Sequence, residues 1–194
     1  QPRHACSQAH FHDDKSEKSM TYHVYVSNSG STFLSHFLLD SSTGQLEPQD
    51  NISLGASPGA LATDAAGRRM FVCLRSEKQF ASYDIDSATG ALSQIGAVEV
   101  PDGAPYVYTD DTDQYLLASY YGAGHVSVHA IGADGSLSAE PLQWIETATH
   151  AHSIQTDSSN RFAFVPHTNP VNAIYQFRFD ESTGALTAND PATI

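Results

Sequence analysis

The sequence predicts an all-β fold, a β-propeller of four-stranded antiparallel blades, because a strand-rich pattern returns about every 46 residues. One marker of the repeat is a turn in which an acidic residue is followed by Gly and then Leu. Its glycines, Gly44, Gly90, Gly135 and Gly184, are 46, 45 and 49 residues apart. A second marker is an Asp followed by a polar turn and an apolar strand. Its aspartates, Asp64, Asp110 and Asp157, are 46 and 47 residues apart. Two turn types that share one period are not explained by a sandwich or an open meander.

Each period contains four short runs in which apolar and polar residues alternate, the pattern of strands with one buried face. Tyr175, Phe177 and Phe179, for example, alternate with Gln176 and Arg178. In the second period the predicted inner, second, third and outer strands are Leu61 to Asp64, Met70 to Leu74, Phe80 to Asp86 and Leu92 to Val100. Four antiparallel strands per unit are typical of a propeller blade.

The strand count predicts only part of a ring. The repeat opens at a second strand, Tyr22 to Ser27, and reaches a third strand, Ile174 to Asp180, with an outer strand beginning near Leu186. That is about three and a half blades, whereas closed propellers have roughly four to eight. The missing C-terminal half of the propeller is therefore the predicted partner, with a second copy of the chain as the alternative. We expect residues 20–194 alone to aggregate or oligomerise, because both terminal blade faces lack a neighbour.

Residues 1–19 do not fit the repeat and are predicted to be a disordered leader or an expression remnant, with 20–194 as the partial propeller. A metal site in the segment His10 to Asp14 is a weaker alternative. The chain has 22 acidic and 9 basic residues and a net charge of −13, which argues against nucleic acid or an anionic membrane as a partner. No apolar run is long enough to span a membrane, and its two cysteines, Cys6 and Cys73, do not suggest a disulfide framework.

Candidate functional residues lie on loops that emerge on one face of the ring. These are the loops that enter each inner strand and those between the second and third strands. His152 stands five residues before Asp157, where the other periods have Pro105 and Gly59. An imidazole there can take or give a proton near neutral pH. His150 and His167 lie on the same face of the same blade, where they are expected to orient His152 or bind substrate.

Three further candidates, Arg75, Tyr120 and Tyr121, lie on or next to loops predicted on the same face as His152. Arg75 shares a loop with Lys78 and is a plausible contact for a phosphate or carboxylate, although an exposed pairing with Glu77 is an equal alternative. Tyr120 or Tyr121 could stack on a sugar-like ring, and Tyr120 is the predicted contact. His150, His152 and His167 could instead ligate a metal, but a regular strand would turn the first two to opposite faces.

The residues Ala118 to Val128, His152 to Ile154, Asn160 to Pro166 and Asn189 to Pro191 resemble the lactonase-type seven-bladed propellers. That family includes the propeller-class 6-phosphogluconolactonases and the 3-carboxy-cis,cis-muconate lactonizing enzymes. The resemblance runs over Tyr22 to Ile194. It implies that a seven-bladed ring contains this chain as about its N-terminal half, and that His152 acts in catalysis.

The resemblance implies a lactone hydrolase that acts on a sugar lactone, phosphorylated or not. We expect it to act without metal or other cofactor and in the cytoplasm, with a secreted or periplasmic location as the alternative. His152 would be the base that activates water, and Arg75 the group that stabilises the oxyanion. The alternatives are a carboxymuconate lactonizing activity and a non-catalytic interaction platform, since a fold does not fix a function. A mouth without convergent polar groups would favour the platform.

Overall fold

The computed structural model describes residues 20–194, which form sixteen β-strands and no helix. The strands form four antiparallel sheets that follow one another along the chain as blades 1 to 4. Blade 1 contains β1 (Thr21–Ser27), β2 (Phe33–Asp40), β3 (Leu46–Pro48) and β4 (Ile52–Ser53); blade 2 contains β5 (Pro58–Thr63), β6 (Arg69–Leu74), β7 (Gln79–Ile85) and β8 (Leu92–Glu99). Blade 3 contains β9 (Tyr106–Thr109), β10 (Tyr115–Tyr120), β11 (His125–Ala130) and β12 (Gln143–Glu146); blade 4 contains β13 (Gln155–Thr156), β14 (Phe162–Pro166), β15 (Ile174–Asp180) and β16 (Ala185–Thr193). The predicted all-β fold of four-stranded antiparallel blades is confirmed.

The blades differ in completeness. In blade 1, β1 and β2 pair as second and third strands, and the short strands β3 and β4 both pair with the outer edge of β2. Within residues 20–194 this sheet has no inner strand. Blade 4 has all four, because β16 runs for nine residues along β15, from the pair Asp180 and Ala185 to the pair Tyr175 and Thr193. The described blades therefore amount to slightly more than the three and a half expected.

The core lies between the blades. The period-2 alternation of each strand sends successive side chains to opposite neighbours. In β10, Leu116 and Ala118 pack against blade 2, whereas Tyr115 and Leu117 pack against blade 4. Each blade interface has its own apolar cluster, and each blade buries its faces only against its neighbours.

The carboxylates of the repeat aspartates hydrogen-bond to the backbone of the turn between the inner and second strands. Asp64 Oδ1 accepts hydrogen bonds from the backbone N–H groups of Arg68 and Arg69, at 2.6 and 3.0 Å. The carboxylates of Asp110 and Asp157 accept the equivalent pairs of bonds. A carboxylate is needed there because it satisfies two backbone donors that the turn would otherwise leave unpaired.

The same turn also joins neighbouring blades. The third residue after each repeat Asp has a positive φ: Gly67, Asp113 and Asn160, at 63°, 56° and 53°. Asp113 accepts from the backbone N of Ala65 in the preceding blade at 3.0 Å. Asn160 donates to Asp110 Oδ2 in the preceding blade at 3.0 Å. Gly67 has no side chain to reach blade 1.

Blades 1 and 2 are joined instead through Tyr25, which lies beside a pair of histidines in blade 1. His23 Nδ1 and His36 Nε2 are 2.9 Å apart and share one hydrogen bond. The buried His36 ring stacks on Tyr25, with ring centroids 5.2 Å apart, and the Tyr25 hydroxyl donates to the Gly90 carbonyl of blade 2 at 2.9 Å. A Cβ on Gly90 would lie 2.5 Å from His23 Nδ1. The glycine of this turn is thus required both by its φ of 72° and by the close approach of the pair.

We expect the free energy of unfolding to fall as the pH decreases from 7.5 to 5.5, in part through this pair. Burial, with the neighbouring His23, lowers the pKa of His36. The unfolded chain therefore takes up the proton first, so the stabilisation is present above the ordinary histidine pKa and is lost as the pH falls through the folded pKa. Denaturant titration of the full-length protein at several pH values measures the slope, at most about 1.4 kcal/mol per pH unit for each histidine.

His36→Phe keeps an aromatic ring against Tyr25 and removes the titrating group, so the slope should become smaller. The control is His125→Phe, because His125 is the first residue of β11 and its ring stacks on Trp144, away from the contact between blades 1 and 2. An unchanged slope in the His36 variant would show that this pair does not contribute.

The outward face of blade 1 remains apolar. Tyr22, Val26 and Leu46 are 47%, 45% and 53% exposed on this face, beside the half-buried Phe37 and Leu39. Among residues 20–194 no helix is long and apolar enough to cross a bilayer. The proposed leader and its His10 to Asp14 segment lie outside the described residues.

Candidate active site

The candidate site lies on the face where the entry loops and the loops between second and third strands meet, called the mouth below. Backbone hydrogen bonds join these loops within blades 2 and 4 and between blades 3 and 4. Arg75 N donates to Ser57 O at 2.8 Å, His150 N to Tyr121 O at 2.7 Å, and Thr168 N to His150 O at 3.2 Å. The predicted loops therefore share one face.

His152 offers a free imidazole at this mouth. Its backbone N donates to Pro166 O at 3.0 Å, which fixes the loop against β14. The side chain is exposed and makes no hydrogen bond to any of residues 20–194. The ring meets Tyr121 edge to face, with centroids 5.9 Å apart. His152 thus has the accessibility that a general base requires.

His150 contacts the same tyrosine. Its φ is +70°, and its ring centroid is 4.5 Å from that of Tyr121. Its Nδ1 is buried and has no hydrogen-bond partner among the described residues. His150 and His152 therefore share Tyr121 as a neighbour and are not hydrogen-bonded to each other.

His167 is buried and hydrogen-bonded within the fold. It is 5% exposed, its Nδ1 lies 2.9 Å from Val165 O, and its Nε2 lies 3.1 Å from Thr147 Oγ1. Burial lowers its pKa. With both nitrogens engaged, His167 holds the loops of blades 3 and 4 together, and the expectation that it orients His152 or binds substrate is corrected. In residues 20–194 no three His, Cys, Asp or Glu side chains are grouped as metal ligands.

Tyr121 takes the place expected of Tyr120. The Tyr120 ring is fully buried against Phe80 and Trp144, its hydroxyl is 3.1 Å from Ser127 Oγ, and burial raises its pKa well above the usual range. A side chain without solvent contact cannot meet a ligand, so the predicted contact by Tyr120 is corrected. Tyr121 lies at the mouth with its hydroxyl 3.1 Å from Thr168 Oγ1.

Arg75 lines an open groove beside these residues. The groove has a volume of about 410 Å³ and is lined by Arg75, Asp102, Gly103, Pro105, Tyr121 and Gly122. The Arg75 guanidinium forms no ion pair or hydrogen bond with residues 20–194, so the alternative pairing with Glu77 is absent from the described part of the chain. Lys78 is turned aside, with its Nζ 3.5 Å from Pro101 O. Arg75 is therefore the cation that the described loops present to this groove.

A second cavity, of about 610 Å³, lies at the outer rim between blades 2 and 3. Its titratable lining groups are the two carboxylates Glu99 and Glu140. It lacks a base paired with a cation, so the smaller groove at the mouth is the better candidate for chemistry.

The family model for the seven-bladed β-propeller lactonases matches residues 21–194. The chain belongs to this family, and the family resemblance predicted from the sequence is confirmed. A 6-phosphogluconolactonase of Serratia proteamaculans is 30% identical over 143 residues, which cover 74% of this chain and 42% of that protein. A 6-phosphogluconolactonase of Bacillus subtilis is 29% identical over 150 residues, which cover 75% of this chain and 43% of that protein.

Two solved structures illustrate the likeness of fold. A periplasmic gluconolactonase of Pseudomonas aeruginosa superposes with a TM-score of 0.76 at 22% identity, over 90% of this chain and 55% of that one. A protein of Lactobacillus plantarum superposes with a TM-score of 0.74 at 24% identity, over 87% and 54%. The chain spans about half the length of these structures and less than half that of the curated relatives.

Sequence reasoning missed Asp102 and chose the wrong one of two adjacent tyrosines. The place of Asp102 beside Arg75 depends on how blades 2 and 3 pack. Tyr121 follows the last residue of β10, so strand alternation alone could not tell which of two adjacent tyrosines is buried. All six residues of β10 are buried, and Tyr121 is exposed because it lies just beyond the strand.

Proposed function

We propose that the full-length protein hydrolyses a sugar lactone by acid–base catalysis, with His152 as the base. The observation that carries the proposal is the exposed imidazole of His152 beside Tyr121, which itself lines the groove of Arg75; neither the His152 nor the Arg75 side chain has a hydrogen-bond partner among residues 20–194. The relatives named 6-phosphogluconolactonases support the substrate class. A mouth with convergent His, Arg and Asp side chains also argues against a purely non-catalytic platform.

In this mechanism His152 accepts a proton from water, and the resulting hydroxide attacks the lactone carbonyl carbon. A cationic group stabilises the oxyanion of the tetrahedral intermediate, and Arg75 is the candidate among the described residues. The intermediate collapses with cleavage of the ring C–O bond, and the His152 imidazolium returns its proton to the leaving alkoxide. The product is the open hydroxy acid.

Acid release from glucono-δ-lactone and from its 6-phosphate, followed by pH-stat, tests the proposal. Hydrolysis of either lactone well above the spontaneous rate is expected. The absence of catalysis on both, with conversion of carboxymuconate to its lactone, would instead identify the cyclase activity.

The remaining blades of the ring are proposed as the partner of the apolar face of blade 1, since a family ring has seven blades. We propose the cytoplasm as the compartment. The buried Cys73 is a free thiol, which is compatible with a reducing environment. Because a similar structure is of a periplasmic enzyme, fractionation of the producing cell decides between the two.

We expect the activity to survive exhaustive chelation. The reason is geometric: His167 is hydrogen-bonded to Val165 and Thr147, His150 and His152 each contact Tyr121, and no three His, Cys, Asp or Glu side chains in residues 20–194 are grouped as metal ligands. The measurement is lactone turnover before and after chelation, together with elemental analysis of protein lacking Gln1 to Ser19, whose own histidines could scavenge metal. About one metal ion per chain, lost together with activity and restored with it, would establish metal-assisted hydrolysis.

A further inference from the structure

The stem of Arg75 lies close to the backbone of β5 at Gly59, and Arg75 lines the groove. A Cβ on Gly59 would lie 2.7 Å from both Cγ and Cδ of Arg75, so the absence of a side chain at Gly59 lets the arginine stem lie against the backbone. On its other side the stem passes Gly103, where an added Cβ would be 3.9 Å from Arg75 Nε. Gly59 thus makes room for the stem, Gly103 lies only at ordinary contact distance from it, and the guanidinium forms no ion pair or hydrogen bond with residues 20–194.

Asp102 presents a carboxylate to the same groove. Its Oδ1 accepts a hydrogen bond from the Gly103 backbone N at 2.8 Å, which orients the carboxylate. Its Oδ2 forms no hydrogen bond to residues 20–194 and faces Gly122, where an added Cβ would be 3.6 Å away. No ion pair within 4.0 Å joins Asp102 to Arg75. The two opposite charges line one groove and leave space between them.

A ligand that fills this space must accept hydrogen bonds from the guanidinium and donate them to the carboxylate. Neighbouring hydroxyl groups of a sugar do both, because each hydroxyl is a donor and an acceptor. A phosphate dianion can only accept, and it would lie beside the Asp102 carboxylate, where like charges repel. Tyr121 adds an aromatic wall against which the apolar face of a sugar ring can pack.

We propose that Asp102 and Arg75 together form a subsite for adjacent hydroxyl groups of a neutral sugar ring, and that Asp102 excludes a phosphate from this position. The guanidinium has five N–H donors, so it can bind a ring hydroxyl with some of them and face the lactone oxyanion with others. The inference rests on the proposed lactonase function only for its catalytic readout. Among the residues of blades 1 to 4, Asp102 is thus the one that favours an unphosphorylated lactone over its phosphate ester.

The test compares Asp102→Asn with Glu77→Gln in the full-length protein. Both variants remove one carboxylate, but Glu77 lies on the exposed loop after β6 and does not line the groove. We measure kcat/KM for glucono-δ-lactone and for its 6-phosphate. Asp102→Asn is expected to lower kcat/KM for glucono-δ-lactone about 10-fold, as for loss of a charged hydrogen bond. The ratio of kcat/KM for the 6-phosphate to that for glucono-δ-lactone should rise by at least the same factor. Glu77→Gln should leave the ratio unchanged. Equal ratios in the two variants would overturn the inference.

A binding measurement separates this inference from the proposed activity. Glucono-δ-lactam, an analogue that keeps the ring hydroxyls, and inorganic phosphate are titrated calorimetrically into wild type and both variants. The lactam should bind wild type more tightly than phosphate does, and Asp102→Asn should weaken it at least 5-fold. If neither lactone is hydrolysed but this pattern holds, the proposed function fails and the subsite stands. Failure of wild type to bind the lactam, or binding unaffected by Asp102→Asn, would overturn the subsite.

Discussion

Replacing His152 by alanine is expected to lower lactone turnover by roughly 10²- to 10⁴-fold, the span of general acid–base contributions. The expected loss of stability is small, because the side chain is exposed and its ring makes no hydrogen bond to residues 20–194. The loop itself is fixed by the backbone bond from His152 N to Pro166 O, which alanine retains. Steady-state kinetics on the better of the two lactones, with thermal unfolding in parallel, measure both effects.

The matched control is His125→Ala, since that histidine also lies near the mouth, in the strand that follows the Tyr121 loop. Its ring stacks on Trp144 and its Nδ1 is 2.7 Å from Ala123 O, away from Tyr121. Turnover should be unaffected by the control. A change of less than about threefold in the His152 variant, set against the contribution expected of a general base, would exclude His152 from that role.

The fold was predictable because its signals are local. Asp64, Asp110 and Asp157 recur since each staples a turn through its own backbone neighbours, and the turn glycines recur since each has a positive φ. Such requirements act within about five residues, so they leave a period in the sequence.

The site was less predictable because it is made by packing between blades. His152 stood out as an imidazole at a position that other blades give to Pro or Gly. His167 is also a histidine on a loop at the mouth of the same blade, yet it is buried and both of its ring nitrogens are hydrogen-bonded. Nothing in the sequence near Asp102 states that it lies across a groove from Arg75. Neighbours that are 27 residues apart in the chain become visible only when blades 2 and 3 are placed side by side.

The largest predicted effect on stability concerns the link between blades 3 and 4. Asn160 is 3% exposed, and its Nδ2 donates to Asp110 Oδ2 at 3.0 Å and to Glu181 Oε2 at 3.3 Å. Asn160→Asp replaces that donor by an oxygen and sets three carboxylates together. We expect the free energy of unfolding at pH 7.5 to fall by about 2–4 kcal/mol, as for a buried charge that loses its partner.

Two further variants make the test specific. Asn160→Gly keeps a residue that accepts the φ of 53° and removes the bonds without adding charge, so its loss should be only about 1–2 kcal/mol. Asp113→Asn, at the equivalent turn of blade 3, keeps an oxygen that accepts from Ala65 N and should cost less than about 1 kcal/mol. Urea titration of the full-length protein measures all three. The loss in Asn160→Asp should shrink at pH 4.5, because a protonated carboxyl can again donate to Asp110. A loss equal to that of Asn160→Gly at both pH values would show that the charge has no part in the link between the blades.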